Sequence, residues 1–341
     1  MPILRAIDGK IAVLELSNPP VNALSVRHGL VGALRTALVQ AIGDNNVQAV
    51  IIKGAGRMFC AGADVADFDE GTEAGAQIRS LLTDVVEASP KPVIVAIHGM
   101  AFGGGLELAL AAHYRVCTAD AKFALPEVTL GLLPGAGGTQ RLPRLIGADR
   151  ALDLIVSGRQ FGAAEAAQFG IVDRIAEGDL MAAALAVAND AIGRPLRRLS
   201  ALTASPLSQP PKKEKAKLSL APAFIARCVE AAATLSFKEG EALEAKLFDE
   251  LSQSEVSKGL RHVFFGRREV SRVDKNAAAP INSVAIVGGA ILPYVVGRMA
   301  DAASVSASFF VPMAAYGVIA IFAWLAVRAA VAPLSGTTPA T

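Results

Sequence analysis

The chain has 341 residues, enough for about two domains, and a formal net charge of only +2. So small a charge, with no basic stripe, argues against a nucleic-acid partner, and the one basic cluster, Lys212–Lys217, reads as a solvated linker or helix face. Three cysteines, Cys60, Cys117 and Cys228, stand far apart without CxxC or Cys/His spacing, which argues against a metal site and for a reducing, cytoplasmic compartment.

The first residues, MPILRAIDGKIAVLEL, lack the basic and apolar regions of a signal peptide. Ile11–Leu16 is a β-rich run that ends at the turn signal Ser17-Asn18-Pro19-Pro20. Residues 25–42 place Leu30, Val31, Leu34, Leu38 and Ile42 at helical spacing. Val47–Lys53 is a continuous β-branched run of the kind buried on both faces. It leads into the small-residue loop Cys60-Ala61-Gly62-Ala63-Asp64, where backbone can approach a ligand closely. A helix follows over residues 74–89, then a strand at Val93–Ile97, the Gly103-Gly104-Gly105 turn, and a helix over Leu106–Ala112. Tyr114–Thr118 reads as a strand, and Phe123–Glu127 as extended chain broken by Pro126. After the turn Gly135-Ala136-Gly137-Gly138, Leu142–Val156 reads as helix. Alanine-rich helices over 162–169 and 178–191 flank a short strand, Ile171–Ile175. Alternating strands and helices indicate an α/β architecture. No GxGxxG follows any of the first four strands, so a dinucleotide fold is not favoured for residues 1–190. Pro195–Pro222 turns polar and proline-containing and reads as a linker. Residues 223–269 are amphipathic and helical.

Two glutamates, Glu107 and Glu127, lie in apolar sequence beside these glycine turns, and glutamate is among the residues least often buried unless paired. Such surroundings raise a carboxyl pKa and suit it to proton transfer. Backbone amides presented from tight small-residue turns can hold the charge that develops on a thioester oxygen, and Ala61 and Gly104 are the candidates here. One glutamate would orient and deprotonate a water while the other delivers a proton to carbon. Asp64 serves equally well as a helix cap or as part of a ligand loop. Arg57 suits a phosphate contact or a solvated loop, Asn22 shapes a turn, and His98, His113 and Cys60 read as structural.

The motifs NPPVNALS (18–25), FCAGADV (59–65), AFGGGLELAL (101–110) and FALPEVTLGLLPGAGGTQRLPRLIG (123–147) resemble the enoyl-CoA hydratase/isomerase, or crotonase, family. The resemblance covers about residues 5–190. It implies a crotonase-like α/β spiral of ββα units, with Glu107 and Glu127 as the catalytic pair. It also implies Ala61 and Gly104 as the oxyanion hole, and Ala61, Gly62, Ala63, Asp64 and Gly104 against an acyl-CoA substrate. No metal or added cofactor is implied, since coenzyme A arrives on the substrate. The expected reaction is reversible hydration of trans-2-enoyl-CoA in fatty-acid β-oxidation, with Δ3-Δ2-enoyl-CoA isomerisation as the rival at the same site. An oligomer is compatible with the resemblance.

Residues 221–273 look like the segment that joins hydratase to dehydrogenase in multifunctional fatty-acid oxidation enzymes. INSVAIVGGA (281–290) starts like a dinucleotide-binding unit, but Pro293 stands where its helix should run, so NAD is not expected. Residues 304–327 are uncharged over a length that can cross a bilayer. They resemble the last helices of sugar–proton symporters of the major facilitator type, which suggests a chimeric junction near Gly288–Ala290. The expected organisation is a hydratase/isomerase domain over 1–190, a linker over 191–222, helical linker segments over 223–275, a truncated Rossmann-like start over 276–290, and an apolar, membrane-associating tail over 291–341. A membrane-associated fusion remnant without full multifunctional activity is the reading from a different class.

Overall fold

A computed structural model describes residues 3–70, 73–209 and 219–270 of the protein. The expected Rossmann-like start, the junction and the apolar tail lie outside the described residues. Among the described residues, no helix is long and apolar enough to cross a membrane and no His/Cys/Asp/Glu cluster could hold a metal ion.

The chain opens with β1 (Ile3–Asp8) and β2 (Ile11–Leu16), an antiparallel pair turned at Gly9. After α1 (Leu30–Gly43), β3 (Ala49–Gly54) adds parallel to β2. Helix α2 (Glu73–Ser80) runs into a π-helical turn, Leu81–Glu87. Then come β4 (Val93–Ile97), β5 (Met100–Phe102), α3 (Gly104–Ala111), β6 (Tyr114–Cys117) and β7 (Lys122–Ala124). Helices α4 (Gly138–Ile146) and α5 (Ala148–Ser157) follow, then β8 (Phe161–Gly162), α6 (Ala163–Gln168), β9 (Arg174–Ile175) and α7 (Leu180–Ala191). The described chain closes with α8 (Ala221–Thr234), α9 (Phe237–Gln253) and α10 (Glu255–Val270).

Six strands form one sheet in the order β1-β2-β3-β4-β6-β9, parallel except for its first pair, and β5-β7-β8 form a second. β4 and β6 each send the chain on into the second sheet, as β5 and β7, before helices follow, which is a ββα unit; after β2 and β3 the second strand is reduced to the isolated bridges Leu24–Ala63 and Cys60–Ala101. The large sheet is buried on both faces. Along β4, Val93, Val95 and Ile97 join the main core while Ile94 and Ala96 join a second core covered by Ala183, Ala184 and Ala188 of α7. This period-two alternation between two apolar layers is why the β3 and β4 sequences run apolar without interruption.

Several elements differ from expectation. β1 escapes a hydrophobicity reading because it is an edge strand whose residues, Ile3 apart, are exposed. Pro126 does end the extended chain, and Glu127 opens a 3₁₀ turn, Glu127–Leu130. The expected helix over Leu142–Val156 is two helices, parted at Gly147, whose φ of 89° a side-chain-bearing residue rarely adopts. The linker is ordered on its N-terminal side. Arg198 Nε donates to the Glu87 carbonyl at 2.9 Å, the Ser200 amide donates to Glu87 Oε1 at 2.8 Å, and Leu199 is buried. Finally, the described residues up to Arg261 pack as a first compact unit. Helices α8 and α9 belong to the first unit because they pack on α4 and α5.

Candidate active site

Glu107 stands in the first turn of α3, where the unpaired amides of a helix N-terminus favour a negative charge. It is 3% exposed. Its Oε1 accepts from the Ala136 amide at 2.7 Å and the Gly138 amide at 2.8 Å. Glu127 opens its 3₁₀ turn so that Oε1 would lie 2.8 Å from a Cβ placed on Gly103. Its Oε2 is shut off from solvent with no hydrogen-bond partner among the described residues. The two glutamates thus exchange turns. Each is adjacent in sequence to one glycine turn and rests against the other. A Cβ on Gly138 would meet Glu107 Oε1 at 2.8 Å, so glycine is required at both seats.

The expected amide pair needs a correction. The Ala61 N–H donates to the Val21 carbonyl at 3.0 Å and is not free for a ligand. Ala63 takes its place: a Cβ on Gly104 would meet the Ala63 amide nitrogen at 3.0 Å, and a Cβ on Gly62 would lie 3.4 Å from the Gly104 nitrogen. Among the described residues no backbone carbonyl takes the Ala63 N–H, and Gly104 is the first residue of α3, whose amide has no partner within the helix. The loop is pinned from behind by Asn22, held at φ 51°, whose Nδ2 donates to the carbonyls of Ala55 at 2.8 Å and Met58 at 2.9 Å. Asp64 acts as a cap, its Oδ1 accepting from the Ala66 amide at 3.2 Å. Cys60 is fully buried, which pushes its thiol up to about 12 and leaves it inert. His98 Nε2 lies 2.9 Å from the Gly56 carbonyl, a structural contact.

A cleft opens over these groups. Glu107, Glu127, Ala63 and Gly104 face it, and Val65, Phe68, Ile78, Leu130, Leu132 and Phe248 form apolar walls. The Phe68 and Phe248 rings meet edge-on with centroids 5.4 Å apart. Phe248 belongs to α9, which also delivers a third carboxylate that the sequence analysis passed over. Glu244 is fully buried, and its Oε1 accepts from the Gly137 amide at 2.6 Å and its Oε2 from the Thr139 amide at 3.0 Å and the Thr139 hydroxyl. The amides of residues 136–139 therefore alternate between Glu107 and Glu244. A signal for Glu244 exists in the sequence. It occupies the buried stripe of α9, with Gly240, Leu247, Phe248 and Leu251, where an apolar residue is the norm.

Burial raises all three carboxyls, but by different routes. Glu107 is raised by desolvation, against the pull of its two amide hydrogen bonds and the nearby Arg141 and Arg79. Glu127 is raised well above the usual carboxylate range, by desolvation first and then by the charges of Glu107 and Glu244. Glu244 is pushed up to about 8 by burial and by Glu107, against its hydrogen bonds to Thr139 and Gly137. The arrangement sets a carboxyl whose charged form is supported by two amide hydrogen bonds and two arginines beside one whose charged form is further penalised by neighbouring carboxyls. Environments that push two carboxyls apart in this way divide them into a base and an acid.

The family model described as Enoyl-CoA hydratase/isomerase matches residues 6–221. The Peroxisomal bifunctional enzyme of Danio rerio is 42% identical over 306 residues, covering 83% of this chain and 41% of that protein. The Probable enoyl-CoA hydratase of Bacillus subtilis is 46% identical over 172 residues, covering 49% of this chain and 66% of that protein. A crystal structure of an enoyl-CoA hydratase from Bacillus anthracis aligns with TM-score 0.53 at 29% identity, covering 78% of this chain and 97% of that one. The chain spans about two fifths of the length of the bifunctional relatives it matches. None of these matches supports the transporter-like reading of the tail.

Proposed function

The chain belongs to the enoyl-CoA hydratase/isomerase family, and on that premise we propose that it hydrates trans-2-enoyl-CoA thioesters reversibly to 3-hydroxyacyl-CoA in fatty-acid β-oxidation. The Ala63 and Gly104 amides would accept the thioester oxygen and hold the charge that develops there. Glu107 takes a proton from water as the water oxygen bonds to C3. The C2–C3 π pair moves toward the thioester, and Glu127 gives its proton to C2. The observation that carries the reading is a buried, amide-held carboxyl and a partly buried one whose Oε2 has no partner among the described residues, facing one cleft with two convergent amides. Isomerisation moves a proton between carbons and needs a single carboxyl, so the second, amide-held glutamate favours water addition. The substrate brings its own coenzyme A, and no further cofactor enters these steps.

Glu127→Gln tests the assignment because it keeps the shape and removes the proton. Crotonyl-CoA hydration should fall by about 10²–10⁴-fold. A variant that turns over at the wild-type rate removes Glu127 from the reaction, and conjugation of a 3-enoyl-CoA outpacing hydration would favour the isomerase instead.

The uncharged span over residues 304–327 supports a second, separate proposal, that the chain associates with membranes. The full chain should sediment with the membrane fraction and be released by detergent; recovery in the supernatant without detergent would end this reading. For the compartment, the relatives named peroxisomal speak for themselves, and the three free, buried thiols here support a reducing one such as the cytoplasm.

A further inference from the structure

The third buried carboxylate has a place in the chemistry. We propose that Glu244, carried by α9, is a positioning residue for the hydration reaction, fixing the 136–139 turn so that its alternate amides hold Glu107 in line with the water it activates. The inference rests on the hydratase reading above and extends it to a residue more than a hundred positions from either catalytic glutamate.

Four successive amides run from Ala136 and Gly137 into the first two residues of α4, Gly138 and Thr139. Those of Ala136 and Gly138 seat Glu107, and those of Gly137 and Thr139 seat Glu244. Glu244 therefore holds the same four-residue stretch of backbone that holds Glu107, and a rotation of one pair of amides carries the other pair with it. The grip is reinforced around it. The Thr139 hydroxyl donates to Glu244 and accepts from Gln140 Nε2 at 3.1 Å, and Gln140 Nε2 also donates to the Cys228 carbonyl at 2.9 Å. α9 approaches so closely that a Cβ on Gly240 would strike the Gln140 side chain. A carboxylate is the side chain that can accept three hydrogen bonds at two oxygens while offering no donor to clash with an amide.

The charged and titratable groups around Glu244 are Glu107 of α3, Cys228 of α8 and Glu241 of its own helix, while Arg141 and Arg79 face Glu107. Glu127 also feels the Glu244 charge. Removing that charge makes Glu127 easier to ionise, so the alkaline limb of the kcat profile, where Glu127 loses its proton, moves to lower pH.

The test compares the wild-type full chain with Glu244→Gln, Glu107→Gln and the double variant, using crotonyl-CoA across the pH range. A misplacement of the turn should lower kcat of Glu244→Gln by about 10²-fold with KM little changed. In the Glu107→Gln background the same substitution should cost almost nothing, because the two act through one turn. Thr139→Val, which removes the hydroxyl bonds to Glu244 and from Gln140 but leaves both Glu244 and its amide partners in place, should show the same kcat loss in smaller measure, and it stands in if Glu244→Gln does not fold. Unchanged kcat and an unmoved alkaline limb in a folded variant overturn the inference alone, as does a loss of equal size in both backgrounds. A wild-type chain without turnover overturns the hydratase reading together with the inference built on it.

Discussion

His113 shows how one buried side chain sets a pH limit on the fold. Its Nδ1 accepts from the Val93 amide at 3.0 Å, so the ring is neutral with its proton on Nε2, which has no partner among the described residues. Burial, reinforced by Arg198, lowers its pKa to about 4 from an ordinary 6.5. Between those values the unfolded chain binds a proton that the folded chain refuses. Stability contributed by this site is therefore complete above pH 6.5 and is lost as pH falls toward 4, on the order of 3 kcal/mol in all. Urea unfolding of His113→Gln, whose amide oxygen can still accept from Val93, should depend less on pH across that window. A curve parallel to the wild type would assign acid sensitivity elsewhere. The same scale holds the change from Ala61 to Ala63. The two differ by two residues and have nearly the same surroundings in sequence, yet one amide is bonded to Val21 and the other is open to the cleft.

At the scale of elements, α9 is the surprise. Its amphipathic pattern was legible, and so was its start, where Ser236 and Glu239 form a reciprocal cap. Its partner was not. Glu244 and Phe248 lie four residues apart and so share one helix face, which places a carboxylate on the 137–139 turn and a phenyl ring against Gly135. Phe248 Cδ2 would sit 2.6 Å from a Cβ on Gly135, so the ring closes one wall of the cleft directly on the backbone. Phe248→Ala should lower stability by roughly 3–5 kcal/mol for a buried ring, less whatever the cleft recovers by hydration. It should also raise kcat/KM for longer trans-2-enoyl-CoA thioesters relative to crotonyl-CoA. An unchanged ratio between chain lengths would show that the acyl chain runs elsewhere.

At the scale of the molecule, the alternating apolar runs and glycine turns determined an α/β chain, and the spacing of GGGLE and PE determined that two carboxyls belong to one site. These are local properties: strand and helix periods, glycine's freedom at positive φ, and a carboxyl's discomfort in apolar surroundings act within a few residues. Tertiary structure alone decided the rest. It crossed the glutamates onto each other's turns, since β5 pairs with β7 and brings the Gly103 turn to the chain that follows Ala124. It chose between the Ala61 and Ala63 amides, since the Val21 carbonyl takes the first and the second lies against Gly104. It brought Glu244 across 107 residues to Gly137, because α8 and α9 fold back on α4 and α5. Sequence periodicity can say that a helix has a buried face, but what that face touches depends on contacts between distant segments, which no local pattern encodes.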